Sequence, residues 1–320
     1  MNSKPVILTH GDLDGMTSAI MLLRRLPPET RVIITNGQKL LSELDKIAAA
    51  SDVPPDIFIA DIPLVARYVD RVESAIRRLV EQESRVHLYD HHLCWQDAAL
   101  CERFRSACTT LVVDAGKTTA AALVWKHYLK TARDAQHWLQ MLSEKNASAD
   151  PTIRLHFGIL AALMQPQHWK MTASTLKALA HEKPLSEEQN KMAEWYYEEH
   201  LPRERAIVDS AEVITTAAGR RIAWLDLRDE KQHFSVSKAA IEKHGAELAA
   251  TVIRSGVLLG GASIDEGLDL TFLHGRHEHD GIGFNVVGHK SPVKFVPLEG
   301  DVTDEFVQAI RSFVFKALLS

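Results

Sequence analysis

Short apolar runs alternate with amphipathic stretches along the first 130 residues of the chain. The apolar runs have the length of buried strands, and the amphipathic stretches repeat their apolar positions every three to four residues, as helices do. Strands are predicted at residues 5–9, 31–35, 56–60, 86–90 and 110–113, and helices at 17–25, 39–50, 65–82 and 118–129. This regular alternation predicts an α/β fold with a doubly wound, mostly parallel sheet.

The pattern changes twice in the rest of the chain. It is predominantly helical from Ala132 to about Ile214, and the polar stretch 186–200 indicates a connecting helix that Pro202 ends. Short strands then follow at 221–225, 249–254, 257–259 and 268–273, with helices at 236–244 and 302–319. We therefore expect an N-terminal domain over 1–185, a helical linker over 186–214 and a smaller C-terminal α/β domain over 215–320.

Composition narrows the class of protein. With 46% hydrophobic residues, the 320-residue chain can bury a sizeable core. A net charge of −5 excludes a strongly basic protein, so any contact with nucleic acid has to come from a local patch or a metal site. The N-terminus has no apolar segment of a signal peptide, and no apolar run approaches the roughly 18 residues of a membrane span. We expect a soluble cytoplasmic protein, in which Cys94, Cys101 and Cys108 are structural thiols.

Polar side chains follow three of the predicted parallel strands, at the point where each strand ends. His10, Asp12 and Asp14 follow the first strand, Asp61 follows the third, and Asp90-His91-His92 closes the fourth. The carboxyl ends of parallel strands meet at one edge of the sheet, so we expect these side chains to lie close together. Imidazoles and carboxylates are the usual protein ligands of Mn, Fe or Zn.

Each of these segments has an ordinary alternative interpretation. An isolated Asp-x-Asp-Gly is typical of a surface turn, with Gly15 permitting a tight turn. An isolated His-His pair is more often structural, and an isolated Asp61 is compatible with a helix cap. Their coincidence at three strand ends favours a site for two metal ions about 3.5–4 Å apart, which could activate a water and clamp a phosphoryl group.

The segments His10-x-Asp12-x-Asp14-Gly15, Asp61 and Asp90-His91-His92 resemble the first three motifs of the DHH phosphoesterase family. That family includes RecJ-like exonucleases, small oligonucleotide and cyclic-dinucleotide phosphodiesterases, and type II inorganic pyrophosphatases. The resemblance implies that the metal ligands are His10, Asp12, Asp14, Asp61 and His92. It implies catalytic roles for Asp90, which would orient a histidine or touch the metal, and for His91, which would face metal or phosphate.

The fourth motif of that family is where this sequence departs. The family places an Asp in an apolar segment similar to 155–163, and this segment has none. By resemblance to smaller members, Asp134 beside Trp138 would be the remaining metal ligand. Asp114 and Asp150 are rivals, and Asp134 is also compatible with an ordinary acid on a helix surface.

The C-terminal region resembles the DHHA1 substrate-binding domain of the same family, whose hallmark is a glycine-rich turn ending in Gly-His. Gly288 and His289 match, whereas valines replace the preceding glycines. By this resemblance, Arg276, Gly288 and His289 would bind substrate, Arg276 by pairing with phosphate. The alternatives are a surface charge at Arg276 and a plain turn residue at His289. The polar run 274–280, with His274, His277 and His279, favours a solvated hairpin over a second metal site.

The resemblance implies a hydrolase, namely a metal-dependent phosphodiesterase or exonuclease that uses a metal-activated water. Its cofactor would be two Mn²⁺ ions, with Mg²⁺, Fe²⁺ or Co²⁺ as alternatives. Its partners would be short single-stranded oligonucleotides or small nucleotide phosphoesters, and no membrane. The alternatives are a phosphomonoesterase or pyrophosphatase with the same centre, and a nucleotide-binding protein with a decayed centre. The sequence leaves open DNA versus RNA, the cleavage polarity and the oligomeric state, a homodimer included.

Overall fold

The structure is a computed structural model that describes residues 4–116, 118–129, 133–216, 218–230, 236–261, 270, 273–288 and 293–318. The chain forms two compact units, Met1–Tyr197 and Glu198–Ser320. Each is described by itself below. No helix in the described part of the chain is long and apolar enough to cross a membrane.

The first unit contains the predicted parallel sheet. Its strands are β1 (Val6–His10), β2 (Arg31–Thr35), β3 (Asp56–Ala60), β4 (Arg85–Asp90) and β5 (Thr110–Val113). Their order is β2-β1-β3-β4-β5, and every neighbouring pair is parallel. The strand order reverses direction between β1 and β3, and the crevice beyond such a reversal is where open α/β sheets usually bind ligands. The predicted fold class is confirmed, and the five strands lie within one residue of their predicted positions.

The helices of this unit separate the strands of the sheet and follow the last of them. They are α1 (Leu13–Leu23), α2 (Leu40–Ala48), α3 (Val69–Glu81), α4 (Ala98–Ala107), α5 (Ala120–Val124), α6 (Arg133–Glu144), α7 (Pro151–Leu163), α8 (Thr172–Ala180) and α9 (Glu187–Trp195). α2, α3 and α4 pack their apolar faces on Leu8, Ile59 and Leu88 of the sheet. α1 is buried from Gly15 to Leu23, as expected for a helix that is apolar on every side.

Two helices of this unit differ from the sequence prediction. α1 begins at Leu13 rather than at residue 17, because Asp12 caps its N-terminus by accepting the backbone N–H of Gly15. α4 was not predicted. It begins after Asp97, whose carboxylate accepts the N–H groups of Ala99 and Leu100. In both cases a capping aspartate starts the helix before its apolar periodicity becomes visible.

The second unit is built on a seven-stranded mixed sheet. Its strands are β6 (Glu212–Thr215), β7 (Arg221–Asp226), β8 (Leu248–Ile253), β9 (Gly256–Gly260), β10 (Gly275–His279), β11 (Ile282–Gly288) and β12 (Val293–Pro297). The order is β10-β11-β12-β9-β8-β7-β6, in which β7 and β8 are parallel and the other pairs antiparallel. The sequence predicted β7, β8 and β9, whereas β6, β11 and β12 were missed. The predicted strand 268–273 falls mostly outside the described residues.

Helices pack on both faces of the second sheet. α12 (Asp304–Ala317) covers one face through Phe306 and Ile310, which pack with Phe284 and Phe295. α10 (Leu201–Asp209) and α11 (Ser237–His244) pack on the other face. The prediction that Pro202 ends a helix is wrong, because Pro202 lies in the first turn of α10, where a helix needs no backbone N–H from its residues.

Candidate metal centre

The turn after β1 holds the first group of polar side chains. Asp12 accepts the Gly15 N–H through Oδ1 at 2.9 Å, and its Oδ2 lies 2.9 Å from His10 Nδ1. The Thr9 hydroxyl donates to the Gly15 carbonyl at 2.6 Å, which holds the first turn of α1 against β1. A Cβ at position 15 would lie 2.5 Å from the His10 carbonyl oxygen. Glycine is therefore required here by a close backbone approach, so α1 can start directly above the strand end.

Asp14 connects the first turn of α1 with the start of α5. Its Oδ2 accepts the N–H of Ala120 at 2.8 Å, and its Oδ1 accepts that of Ala121 at 2.9 Å. The same Oδ2 lies 3.4 Å from His91 Nε2. Burial raises the pKa of Asp14, against the opposing effect of the two backbone N–H groups. Asp14 thus has a structural partner as well as a neighbour in the polar cluster.

Asp61 lies directly after β3 and is deeply buried. It is 1% exposed, and its backbone N–H donates to the Tyr89 carbonyl at 2.9 Å. Its φ of 59° is in the left-handed region, which aspartate tolerates better than most non-glycine residues. Oδ1 lies 3.2 Å from His91 Nε2, yet in the ionised form neither carboxylate oxygen accepts a hydrogen bond from a described residue. A buried carboxylate in this state either keeps a proton or, when it is ionised, needs a compensating positive charge.

Asp90 ends β4 and organises the two histidines that follow it. It is 1% exposed, and its Oδ1 accepts the backbone N–H of His91 at 2.9 Å and the His92 Nδ1–H at 2.6 Å. Oδ2 accepts the indole N–H of Trp95 at 2.6 Å. A carboxylate only accepts, so neutral His92 carries its proton on Nδ1 and keeps the lone pair on Nε2. A neutral imidazole ligates a metal through the lone pair of such an unprotonated nitrogen.

The side chains form two groups with the spacing of metal ligands, and both groups include Asp61. Asp61, His91 and His92 form one, and His10, Asp12 and Asp61 form the other. In each group, one potential ligand atom per residue lies within 4.8 Å of the others. The chain therefore has a His/Asp cluster beyond β1, β3 and β4, at the point where the strand order reverses. Imidazole nitrogen and carboxylate oxygen together suit first-row transition metals.

The electrostatics of the cluster also fit divalent cations. Burial, with the charges of Asp12 and Asp14, raises the pKa of Asp61 to about 11. Burial acts to raise the pKa of Asp12 too, but the hydrogen bond and charge of His10, with further hydrogen bonds, lower it to about 2. Carboxylates this close cannot all be ionised without added positive charge. A cation would supply that charge, so the residues present fit a metal.

The three aspartates that were candidates for the remaining metal ligand lie in different surroundings. Asp150 is exposed and caps α7, where its carboxylate accepts the N–H groups of Thr152 and Ile153. Asp114 follows β5, and its backbone N–H donates to the Asp90 carbonyl at 3.3 Å, so it lies at the same sheet edge but in neither ligand group. Asp134 lies in the first turn of α6, and its side chain is outside the described residues.

The predicted substrate-binding residues lie in the second unit. Arg276 is exposed on β10, the edge strand, and Gly288 ends β11. His289 lies outside the described residues. The run 274–280 contributes the first strand, β10, of a hairpin with β11. Within it, the ring of His277 packs on Phe284 with 5.7 Å between ring centroids, and no metal-ligand group in the described part of the chain includes a hairpin histidine.

Sequence reasoning missed two contributors to the cluster. Trp95 donates to Asp90, and a buried indole N–H generally needs such a partner, so a tryptophan three residues after His92 was a usable signal. The backbone N–H groups of Ala120 and Ala121 hold Asp14. Backbone groups have no sequence signature, so no pattern could have identified them.

Comparison with known proteins shows likeness in structure only. No family model matches the chain, and no curated protein sequence does. One similar solved structure is described as the DHH domain of a member of a family of ribosomal proteins. It has a TM-score of 0.63 and 14% identity, over 98% of this chain and 87% of that one.

Two further structures extend the same likeness. RecJ from Thermus thermophilus, solved in complex with Mn²⁺, gives a TM-score of 0.52 at 12% identity, over 98% of this chain and 52% of RecJ. CDC45 from Entamoeba histolytica gives 0.51 at 7% identity, over 98% of this chain and 95% of that one. The chain therefore has the fold of DHH-domain proteins along nearly its whole length, together with a DHH-like His/Asp cluster.

Proposed function

We propose that the protein is a metal-dependent phosphodiesterase acting on short single-stranded oligonucleotides or small nucleotide phosphoesters. The observation that supports this most is Asp61. Its carboxylate is buried, makes no hydrogen bond among the described residues and belongs to both ligand groups. A carboxylate shared by two groups is what a centre for two divalent cations needs. We infer that the cations are Mn²⁺, with Mg²⁺, Fe²⁺ or Co²⁺ as alternatives, because the ligand set mixes nitrogen and oxygen.

The proposed ligands and their supports follow from the contacts above. His10, Asp12, Asp14, Asp61 and His92 would hold the cations, and Asp134 would complete the set. Such cations, when bound, would lower the pKa of a water and neutralise charge on a phosphoryl group. Asp90 would keep His92 in the tautomer with a free Nε2. His91 Nε2 lies within 3.4 Å of Asp14 and Asp61, so we assign it to the metal or the phosphate.

The substrate class rests on charge and on the second domain. A net charge of −5 disfavours long duplexes, whose binding depends on many phosphate contacts. The exposed Arg276 could pair with a phosphate in two-pronged geometry, and by the same proposal Gly288 and His289 would also contact the substrate. In this proposal the metals belong to the domain 1–185, the substrate contacts to 215–320, and the segment 186–214 links them.

A second candidate function is nucleotide binding without turnover. One observation favours it: α7, where the family has its fourth Asp, contains no carboxylate, and Asp150 is used as a helix cap. A centre with one ligand fewer would hold a cation less tightly. A phosphomonoesterase or a pyrophosphatase with the same centre is the remaining alternative among enzymes.

One set of measurements tests these functions together. The full chain is stripped of metal, checked by elemental analysis, and titrated with Mn²⁺ by calorimetry. Turnover is then measured on a dinucleotide, a longer single strand, pyrophosphate and a phosphomonoester. His91→Ala is compared with His181→Ala, a histidine of the same unit outside both ligand groups.

Mn²⁺-dependent cleavage of the dinucleotide or the single strand, lost only in His91→Ala, is the expected result. Mn²⁺ and nucleotide binding without turnover would favour the second candidate. Preference for pyrophosphate or the monoester would identify the third. A wild-type protein that binds none of Mn²⁺, Mg²⁺, Fe²⁺ and Co²⁺ would rule out all metal-dependent functions.

A further inference from the structure

We propose that Trp95 is a positioning residue of the metal centre, which acts through Asp90 to hold His92. This inference rests on the proposed function. Trp95 is 4% exposed, and its indole N–H donates to Asp90 Oδ2 at 2.6 Å. The other oxygen of Asp90 accepts the His92 Nδ1–H, also at 2.6 Å. Two hydrogen bonds that share the Asp90 carboxylate therefore connect Trp95 to His92.

The hydrogen bonds to the Asp90 carboxylate hold this side chain in one rotamer. Three donors converge on this carboxylate, namely the indole, the imidazole and the backbone N–H of His91. Among the described residues, Oδ1 accepts hydrogen bonds from the imidazole and the backbone N–H, and Oδ2 accepts only that of the indole. Without the indole, Oδ2 would be buried with no partner, and the carboxylate would gain by rotating toward water or toward His91. Rotation would release the His92 ring from the orientation in which it forms a ligand group with Asp61 and His91.

Trp95 is itself held rigidly, as a positioning residue must be. Its backbone N–H donates to the His92 carbonyl at 3.1 Å, and its own carbonyl accepts the Cys101 thiol at 3.1 Å. Its ring packs edge-on against Phe104, with 5.4 Å between ring centroids. The indole is therefore fixed from the α4 side. Its only polar atom points at Asp90.

The test compares Trp95→Phe with Phe104→Leu. Trp95→Phe keeps a six-membered aromatic ring against Phe104. It removes the five-membered ring of the indole together with its N–H donor. Phe104→Leu disturbs the same packing and leaves the hydrogen bond in place. We expect Trp95→Phe to weaken Mn²⁺ binding about tenfold or more, the usual effect of losing a group that supports a metal ligand. Phe104→Leu should lower the melting temperature while changing Mn²⁺ affinity less than twofold.

A double-mutant cycle separates positioning from packing. In an Asp90→Asn background, Trp95→Phe should weaken Mn²⁺ binding less than twofold further, because both substitutions break the same chain of contacts. Calorimetric Mn²⁺ affinity is the measurement for all four proteins. If wild type binds none of Mn²⁺, Mg²⁺, Fe²⁺ and Co²⁺, the proposed function fails and this inference with it. If wild type binds Mn²⁺ and folded Trp95→Phe binds it equally well, or if the two substitutions prove additive, only the role of Trp95 is overturned.

Discussion

Asp14 Oδ2 accepts the backbone N–H of Ala120 at 2.8 Å, so a predicted metal ligand also holds the first turn of α5. The other oxygen accepts the next N–H along the chain, that of Ala121. The two carboxylate oxygens of Asp14 thus cap the N-terminus of α5, although Asp14 is distant from this helix in sequence. One consequence is that a substitution at this position changes both the cluster and the packing of α5.

Asp14→Ala should therefore lower stability as well as remove Mn²⁺-dependent turnover. Loss of a capping acceptor costs about 0.5–2 kcal/mol in free energy of unfolding. The matched control is Thr119→Ala, because Thr119 caps the same helix through the Ala122 N–H and its side chain is neither a carboxylate nor an imidazole. Urea unfolding and turnover are measured for both. Full stability in Asp14→Ala would show that the contact with α5 is unimportant, and retained turnover would exclude Asp14 from the centre.

Asp61 should make the metal-free protein less stable as pH rises. Its folded pKa, raised to about 11 mainly by burial, lies above its ordinary value of 3.8. The folded state thus keeps a proton that the unfolded state loses, so the contribution of this group to stability is full below pH 3.8 and declines as pH rises toward 11. Asp61→Asn removes this decline, and asparagine tolerates the left-handed backbone at this position.

Chelator-treated Asp61→Asn should therefore be more stable than wild type at pH 8, by a margin larger than at pH 5. With Mn²⁺ present the order should reverse, because only wild type gains stability from the ion. Urea unfolding at both pH values measures this, and the exposed Asp52→Asn is the control. An equal difference at both pH values would contradict the raised pKa.

Much of this site was predictable because strands of a parallel sheet are apolar throughout and end abruptly. The polar residues after β1, β3 and β4 stand out for that reason. The left-handed backbone of Asp61 and its lack of a hydrogen-bond partner among the described residues could not be predicted, since both depend on neighbours that the fold brings together. The strands β11 and β12 were missed because short antiparallel strands with polar faces have a weaker pattern than buried parallel ones.

Chelation should abolish turnover, and Mn²⁺ should restore it better than Ca²⁺. Ca²⁺ prefers sites made of oxygen alone, whereas the proposed ligands His10 and His92 would contribute nitrogen. Binding of Mn²⁺ should also release protons, because ligands such as Asp61 must be ionised to bind. Calorimetry in buffers with different ionisation enthalpies measures this release. Turnover that persists after metal removal, confirmed by elemental analysis, would contradict the prediction.

Arg276→Ala should weaken substrate use and leave metal binding unchanged. Arg276 is exposed on the edge strand β10 and is not a plausible metal ligand, since a guanidinium stays charged. If it pairs with substrate phosphate, its loss should cost about 1.5–3 kcal/mol of binding, which lowers kcat/KM about tenfold or more. Arg276→Lys should recover little of this, because lysine lacks the two-pronged geometry.

The matched control for this last prediction is Glu278→Ala, which removes an exposed charge from the same strand. Calorimetric Mn²⁺ affinity and turnover of a dinucleotide are measured for all three variants. We expect normal Mn²⁺ affinity throughout, with reduced kcat/KM in the two Arg276 variants alone. Unchanged turnover in Arg276→Ala would make this arginine a surface charge. Lost Mn²⁺ affinity in a folded Arg276→Ala protein would mean that the two domains do not divide metal and substrate binding as we propose.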